Sequence, residues 1–363
     1  LLSVVLNVHA QLYPIEIKGK FGYVDNSGEL VIQPTYDLAM PFNNGYAVVA
    51  LGLQPCLINQ NNKRVIDTGL YTQITDYSEG LCMVEDFKRR KHYVDTNNQK
   101  VISLSPDIYE ARPFNSGIAV VSKQTTYTEV KFGKDITTLV YRFAYINKRG
   151  DTLTGFEFED CGDFFNGYSR AIRQNKFGLL NTELKEVLPF KFNQLSQVEE
   201  GKVIVNENNK YGIYDVTGKW ILKPMYPLIF DYNDGMAGFM NDKNLYGYLN
   251  EEGTVAIKPI YQSIRPFSEG KAAVVSDGKW GFINKQGTWV ILNVYDNARM
   301  FSEGMSAIMY KRKWGFINEE GKLIIPCDFD AVGDFNEGLA LVELNEIIVY
   351  INKRGVIMPQ LRK

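Results

Sequence analysis

Lys279 to Ile291 reads K-W-G-F-I-N-K-Q-G-T-W-V-I, and the reading of this stretch decides the fold. Two short apolar runs, Trp280–Ile283 and Thr288–Ile291, flank Asn284-Lys285-Gln286-Gly287. An apolar run, an Asn, two polar residues and a Gly describe a hairpin on a type I turn that closes through a left-handed bulge residue. Asn suits the first position because its side chain bonds to backbone two residues on. Gly suits the last because it takes a positive φ without a Cβ clash.

The stretch recurs ten times. Its Asn position is held by Asp25, Asn59, Asp95, Asn147, Asn181, Asp215, Asn250, Asn284, Asn318 and Asn352. Three residues later stands Gly or Asn in every copy except the fifth, where Leu184 predicts a turn variant without the left-handed residue. A second anchor, an aromatic or apolar residue three before a Gly, follows each hairpin, as in Phe267/Gly270, Phe301/Gly304 and Phe335/Gly338. An alternating apolar strand comes next, such as Ala272–Val275. Ile283, Ile317 and Ile351 are 34 residues apart. A fixed period of this size marks a repeat array whose units cannot bury their apolar faces alone. The expectation is therefore all-β: nine three-stranded units and a partial tenth in an open, curved, β-solenoid-like array. A closed, propeller-like toroid is the alternative. The chain starts and ends with a W-G strand, so its ends duplicate rather than complement each other, which favours the open form.

With Trp280-Gly281-Phe282-Ile283-Asn284 and Trp314-Gly315-Phe316-Ile317-Asn318 in place, the chain resembles the bacterial WG-repeat family across nearly all of residues 19–359. Phe21-Gly22, Phe177-Gly178, Tyr211-Gly212 and Tyr246-Gly247 exchange the Trp for another aromatic. Pro55-Cys56, Lys91-His92, Phe143-Ala144 and Ile348-Val349 lose the dipeptide. The resemblance implies a non-catalytic β-repeat module, frequent in envelope or secreted proteins, and carries over no catalytic residue.

The rest of the chain bounds the function. Its 363 residues carry a formal charge of −2, which gives no basic stripe for nucleic acid. No apolar run after the first residues reaches the ~18 needed for a membrane span. Leu1–Ala10 is apolar and ends Val-His-Ala, as the tail of a clipped secretion signal would, placing the mature chain's start at Gln11 and its location outside the cytoplasm; a first β-strand is the other reading. The scarcity of His, with His92 in a repeat slot, weighs against His-dependent hydrolysis and His-ligated metal. Cys56, Cys82, Cys161 and Cys327 lack C-x-x-C spacing, which argues against zinc. Cys56–Cys82 is the most plausible disulfide, although a buried free thiol suits Cys82 better. No cofactor and no metal are expected.

Candidate contact residues come from two places. From Gly117 to Phe143 the repeat takes 26 residues where 10 or 11 are usual, so residues 122–142 form an inserted hairpin with Tyr127, Phe132 and Tyr141 available to a partner. Inserts in repeat arrays collect on a functional face. Neutral decoration is the alternative, because longer loops cost little entropy. Removing 124–141 should leave Val120-Val121 and Phe143–Ile146 able to close a hairpin of ordinary length. Trp220 and Trp289 lie two residues past the turn Gly; both fit packing, and a Trp pair on adjacent units would form a sugar-stacking platform. Trp280 and Trp314 read as core. Glu157, Glu159, Asp160 and Asp163 form an acidic cluster, best read as a solvated loop facing Arg170 and Arg173. Glu79, Asp234, Glu269, Glu303 and Glu337 precede the turn Gly and read as turn geometry. The leading expectation is a non-catalytic scaffold in the envelope or outside the cell that binds a protein or surface polymer. A carbohydrate-binding module using exposed aromatics is the alternative, with a carboxylate-dependent hydrolase behind it.

Overall fold

The computed structural model describes residues 11–25, 28–132 and 134–357. The leader reading of Leu1–Ala10 and the tail from Met358 fall outside the described residues. By contacts the chain divides into two compact units, Leu1–Glu186 and Val187–Lys363.

In the second unit one repeat shows the construction. Strands Ser263–Ile264, Lys271–Ser276, Lys279–Asn284 and Trp289–Tyr295 pair in chain order, all antiparallel. The two inner strands are buried on both faces, which is why they read as continuous apolar runs rather than alternating ones. The last strand alternates, with Ile291 inward and Val290 and Leu292 exposed. Ten such sheets of three or four strands make up the described residues. The first unit builds its sheets in the same way, for example Leu38–Ala39, Tyr46–Leu51, Gln54–Asn59 and Arg64–Ile66.

These are propeller-type blades, and they overturn the open solenoid-like array of three-stranded units. In a solenoid the hydrogen-bond ladder runs on from repeat to repeat. Here each ladder ends after its own three or four strands, and neighbouring sheets meet through side chains. Phe282 and Ala273 of one sheet share a core with Ala298, Phe301 and Ile308 of the next. The unit also has a different phase. The strand after the Phe-x-x-Gly turn precedes its W-G strand within one sheet, and a two-residue strand opens the blade. A strand that short carries no periodicity in sequence.

The turns show two kinds of glycine. Asn284 Oδ1 accepts from the N–H groups of Gln286 and Thr288 (3.1 and 2.9 Å), and Gly287 follows at φ 77°. Leu184 takes the same left-handed conformation, φ 59°, with its N–H on Asn181 O. The expected turn variant is therefore absent, because the Asn181 side chain holds the turn whatever residue follows. The W-G glycine is needed for a different reason. The facing strand bulges over it, and a Cβ on Gly247 would lie 2.4 Å from Ile257 O. Where Gly22, Gly212, Gly247, Gly281 and Gly315 fill the slot, that facing strand is seven residues long. Where Cys56 or His92 fills it, the facing strand is three or four residues, and beside Ala144 and Val349 the described residues form only isolated bridges.

The Phe-x-x-Gly turns join blades. Ser268 and Lys271 exchange backbone hydrogen bonds around Glu269 and Gly270, both at positive φ, which is a type I′ hairpin. Glu269 Oε2 accepts the N–H of Gly304 in the next blade at 2.9 Å, and Ser268 Oγ donates to Phe301 O at 2.7 Å. Glu79, Asp234 and Glu303 repeat the contact on Gly117, Gly270 and Gly338. Lys148, Lys285 and Lys353 add ammonium groups to these three. Burial alone would raise the three carboxyl pKa values, and the glycine N–H and lysine bonds reverse that, leaving them lowered. The position read as turn geometry is thus a staple as well. Its strained φ is held by a bond to the neighbouring blade.

Candidate functional site

In the first unit one element departs from the blade plan. Strands Ile118–Lys131 and Lys134–Asn147 pair residue for residue, from Ile118↔Asn147 to Lys131↔Lys134. Their inner halves are blade core, with Val120, Val121, Ala144 and Tyr145 buried. Their outer halves, rich in Thr, Val and Tyr, hold strand geometry through β-branched pairing, including Thr128 and Thr137 hydroxyls 3.0 Å apart. Beyond Lys123 the hairpin stands clear of its blade, since strand Ile108–Ala111 stops pairing there. Tyr127, Val130, Phe132, Ile136, Leu139 and Tyr141 are exposed.

At its base lies an open concavity of about 640 Å³, between this blade and the blade of residues 73–103. Its lining carboxylates are paired: Glu85 with Lys91 at 2.9 Å, and Glu110 with Arg112, which lies behind the lining, at 2.7 Å. Lys123, 2.7 Å from Asp107, holds that carboxyl below its usual range, with Ser105 adding a hydrogen bond. The Arg89 guanidinium in the same lining has no carboxylate partner among the described residues. Tyr109 packs against Tyr141 with tilted rings whose centroids are 4.7 Å apart, and the hydrogen bond between the two side chains raises the Tyr141 pKa. The concavity therefore continues onto one face of the hairpin.

The structure separates the expected contact residues. Cross-strand register puts Tyr141 with Gln124, Leu139 with Thr126 and Tyr127 with Thr138. Since side chains alternate along a strand, Tyr141 and Tyr127 stand on opposite faces. Phe132 caps the tip, fully exposed at φ 54°. Trp220 stacks on Tyr214 at 3.8 Å, and Trp289 packs edge-on to Tyr261. The blade Leu228–Tyr261 lies between their two blades, so they are no adjacent pair and form no joint platform. Trp280 and Trp314 are half-buried against blade cores. Tyr109, Arg89 and Lys91 escaped sequence reasoning; the Ile108-Tyr109-Glu110 alternation was the available signal for the first.

Other candidates are committed to structure. Glu157 meets Arg173 at 3.5 Å, Glu159 accepts the Asn175 N–H, Asp160 lies 3.8 Å from Arg112, and Asp163 is exposed. His92 is buried, its Nδ1 3.2 Å from Ser103 Oγ. All four cysteines are free; Cys56 and Cys82 sit in separate cores, and burial pushes their thiols up to about 11 and about 12. The Cys56–Cys82 disulfide is therefore not formed. Among the described residues no group of three or more His, Cys, Asp or Glu is placed to hold a metal ion, and no helix is long and apolar enough to cross a membrane.

The family model "WG containing repeat" matches residues 21–52, 143–176, 177–211, 211–244, 246–280, 280–314 and 314–346. No curated protein matches the sequence. Among solved structures, a eukaryotic initiation factor shares 10% identity at a TM-score of 0.51, with 86% of this chain and 94% of that one covered. At this identity the likeness concerns the fold alone, and it agrees with the blade architecture against an open solenoid. The computationally designed Ika8 protein (10% identity, TM-score 0.38, 79% and 95% covered) and BamB from Moraxella catarrhalis (8%, 0.31, 85% and 94%) also match.

Proposed function

The chain belongs to the WG containing repeat family, and we propose that it is a non-catalytic scaffold whose long hairpin and basal concavity bind a protein partner. One observation carries this reading: a hairpin extends well past its blade and bears five exposed apolar side chains, Tyr127, Val130, Phe132, Ile136 and Leu139, that no part of the described chain covers, beside Tyr141 partly covered by Tyr109. Exposed apolar surface of this kind, rimmed by Thr and Gln, is what association buries. The neighbouring carboxylates are each engaged by a cation or a backbone N–H, which leaves them poorly suited to proton transfer. We place the protein outside the cytoplasm on the composition of residues 1–10, which fractionation of expressing cells would test.

The register supplies the experiment. Lys123↔Arg142 flank the insert as Ser276↔Lys279 flank the two-residue turn Asp277-Gly278 of an ordinary blade. Replacing residues 124–141 by Asn-Gly should give a protein that melts cooperatively. Affinity capture from envelope extract, compared between the two proteins, should lose its partner band on replacement. A band that survives the replacement moves recognition to the repeat surface, and loss of folding would make the insert part of the core.

A further inference from the structure

The hairpin has a feature beyond its exposed side chains. Lys131↔Lys134 close the two-residue turn, so these residues face each other across the ladder and their neighbours turn the other way. Near the base, Val120 O accepts from Arg112 N at 3.0 Å on the outer side, which fixes the same parity. The N–H and C=O groups of Gln124, Thr126, Thr128 and Val130 therefore point away from the hairpin. Among the described residues no strand pairs with them. Strand Ile108–Ala111 occupies this edge as far as Lys123 and then leaves it, because Ile108 N turns back to Ser105 O and Leu104 N bonds Lys91 O. An empty lane thus continues in line with strand Ile108–Ala111, and the concavity lies at its inner end, lined there by Pro106, Tyr109 and Gln124.

Charge identifies what ends in that lane. Of the lining's charged groups, Glu85 pairs with Lys91, and Glu110 and Asp107 are met from behind the lining by Arg112 (itself also 3.8 Å from Asp160) and Lys123. Arg89 is therefore the one charged group there without an opposite partner among the described residues. We propose that the Gln124–Val130 edge is a strand-acceptor site. It takes an extended segment of a partner protein, antiparallel, with that segment's acidic C-terminal end seated at Arg89 in the concavity. Main-chain bonds from the edge supply affinity and the end group supplies specificity. Antiparallel pairing runs the added strand from hairpin tip to base, the same sense as Ile108–Ala111, so its last residues reach the concavity. The inference rests on the hairpin's being the contact element.

The test starts from a displayed library of nine-residue peptides with free C-termini, selected on the full chain. Enriched peptides should carry Asp or Glu in the last two places. A synthetic copy should slow amide exchange at Gln124, Thr126, Thr128 and Val130 at least tenfold, and leave Thr125 and Tyr127 unchanged. Thr128→Pro removes one outward N–H and should weaken binding at least tenfold. Thr128→Val keeps that N–H and should bind as the natural chain does. Arg89→Glu, or amidation of the peptide, should weaken binding at least fivefold. Failure to enrich any peptide overturns the proposal, as does protection without alternation or indifference to Thr128→Pro. Binding that resists Thr128→Pro and falls with Tyr127→Ser or Tyr141→Ser overturns strand addition while the hairpin remains the contact element. Binding that persists in the Asn-Gly replacement removes both.

Discussion

Gly247→Ala should be among the most damaging single-methyl changes in the second unit. The added Cβ would lie 2.4 Å from Ile257 O, 2.7 Å from Pro259 N and 2.9 Å from Lys258 C, all backbone. Carbon contacts are comfortable at about 3.5–4.0 Å, so the overlap approaches 1 Å. It has no flexible side chain to absorb it. The strand Val255–Tyr261 would have to lift, although Tyr246↔Tyr261 and Tyr248↔Ile257 pin it on both sides. Overpacking of this kind costs about 1–3 kcal/mol, and here the upper half of that range applies. The unfolded chain's lost freedom returns roughly 0.4–1 kcal/mol, leaving a net loss of about 2 kcal/mol. Gly278 is the control in the same unit. It has φ 74° and nothing within 4 Å of its absent Cβ, so alanine there meets only the left-handed cost of about 1–2 kcal/mol less the same return. Asparagine should restore Gly278, because Asn209 holds the equivalent turn position at φ 62°, and should not restore Gly247. Urea midpoints at constant m measure all four variants. If Gly247→Ala shifts the midpoint no further than Gly278→Ala, the steric account of the W-G dipeptide is wrong.

Leu184→Asn should raise stability by about 0.5–1 kcal/mol, because Asn62 and Asn98 fill the same slot at the same φ and Leu tolerates it poorly; a lower urea midpoint would show that Leu184 packing outweighs its strain. Glu303→Ala should cost about 1–2 kcal/mol through the loss of the Gly338 N–H and Lys353 bonds, with Glu303→Gln recovering at least half by keeping an acceptor. Equal losses for the two would refute the staple. Burial, with the Lys100 and Arg90 charges facing it, outweighs the opposing Asp86 carboxylate and holds His92 below its ordinary 6.5. The unfolded chain therefore takes the proton first, so this contribution is complete above pH 6.5 and is lost as pH falls through 6.5 toward the folded value. His92→Gln should flatten the urea midpoint between pH 7.5 and 5, and an unchanged slope would place the dependence elsewhere.

The sequence by itself determined what is local. The Asx turns are a matter of four consecutive residues, so Asn284-Lys285-Gln286-Gly287 and its nine counterparts were legible, as were the all-β class, the family and the period. Tertiary structure decided everything that compares one repeat with another. Glu269 looks like an awkward turn residue until Gly304, 35 residues on, is seen donating to it. The two-residue strand Ser263–Ile264 is too short for any pattern, yet it turns a three-stranded unit into a blade. Leu184 was misjudged because its φ is imposed by Asn181 and the strands around it, which overrule its own preference. The contact site divided the same way. An interrupted period located the hairpin, since inserted residues are counted along the chain. Which face Tyr141 shares, which edge Gln124 leaves open, and that Arg89 stands over the same concavity all depend on register and on packing between sheets. Those are properties of residues distant in sequence, and no local pattern encodes them.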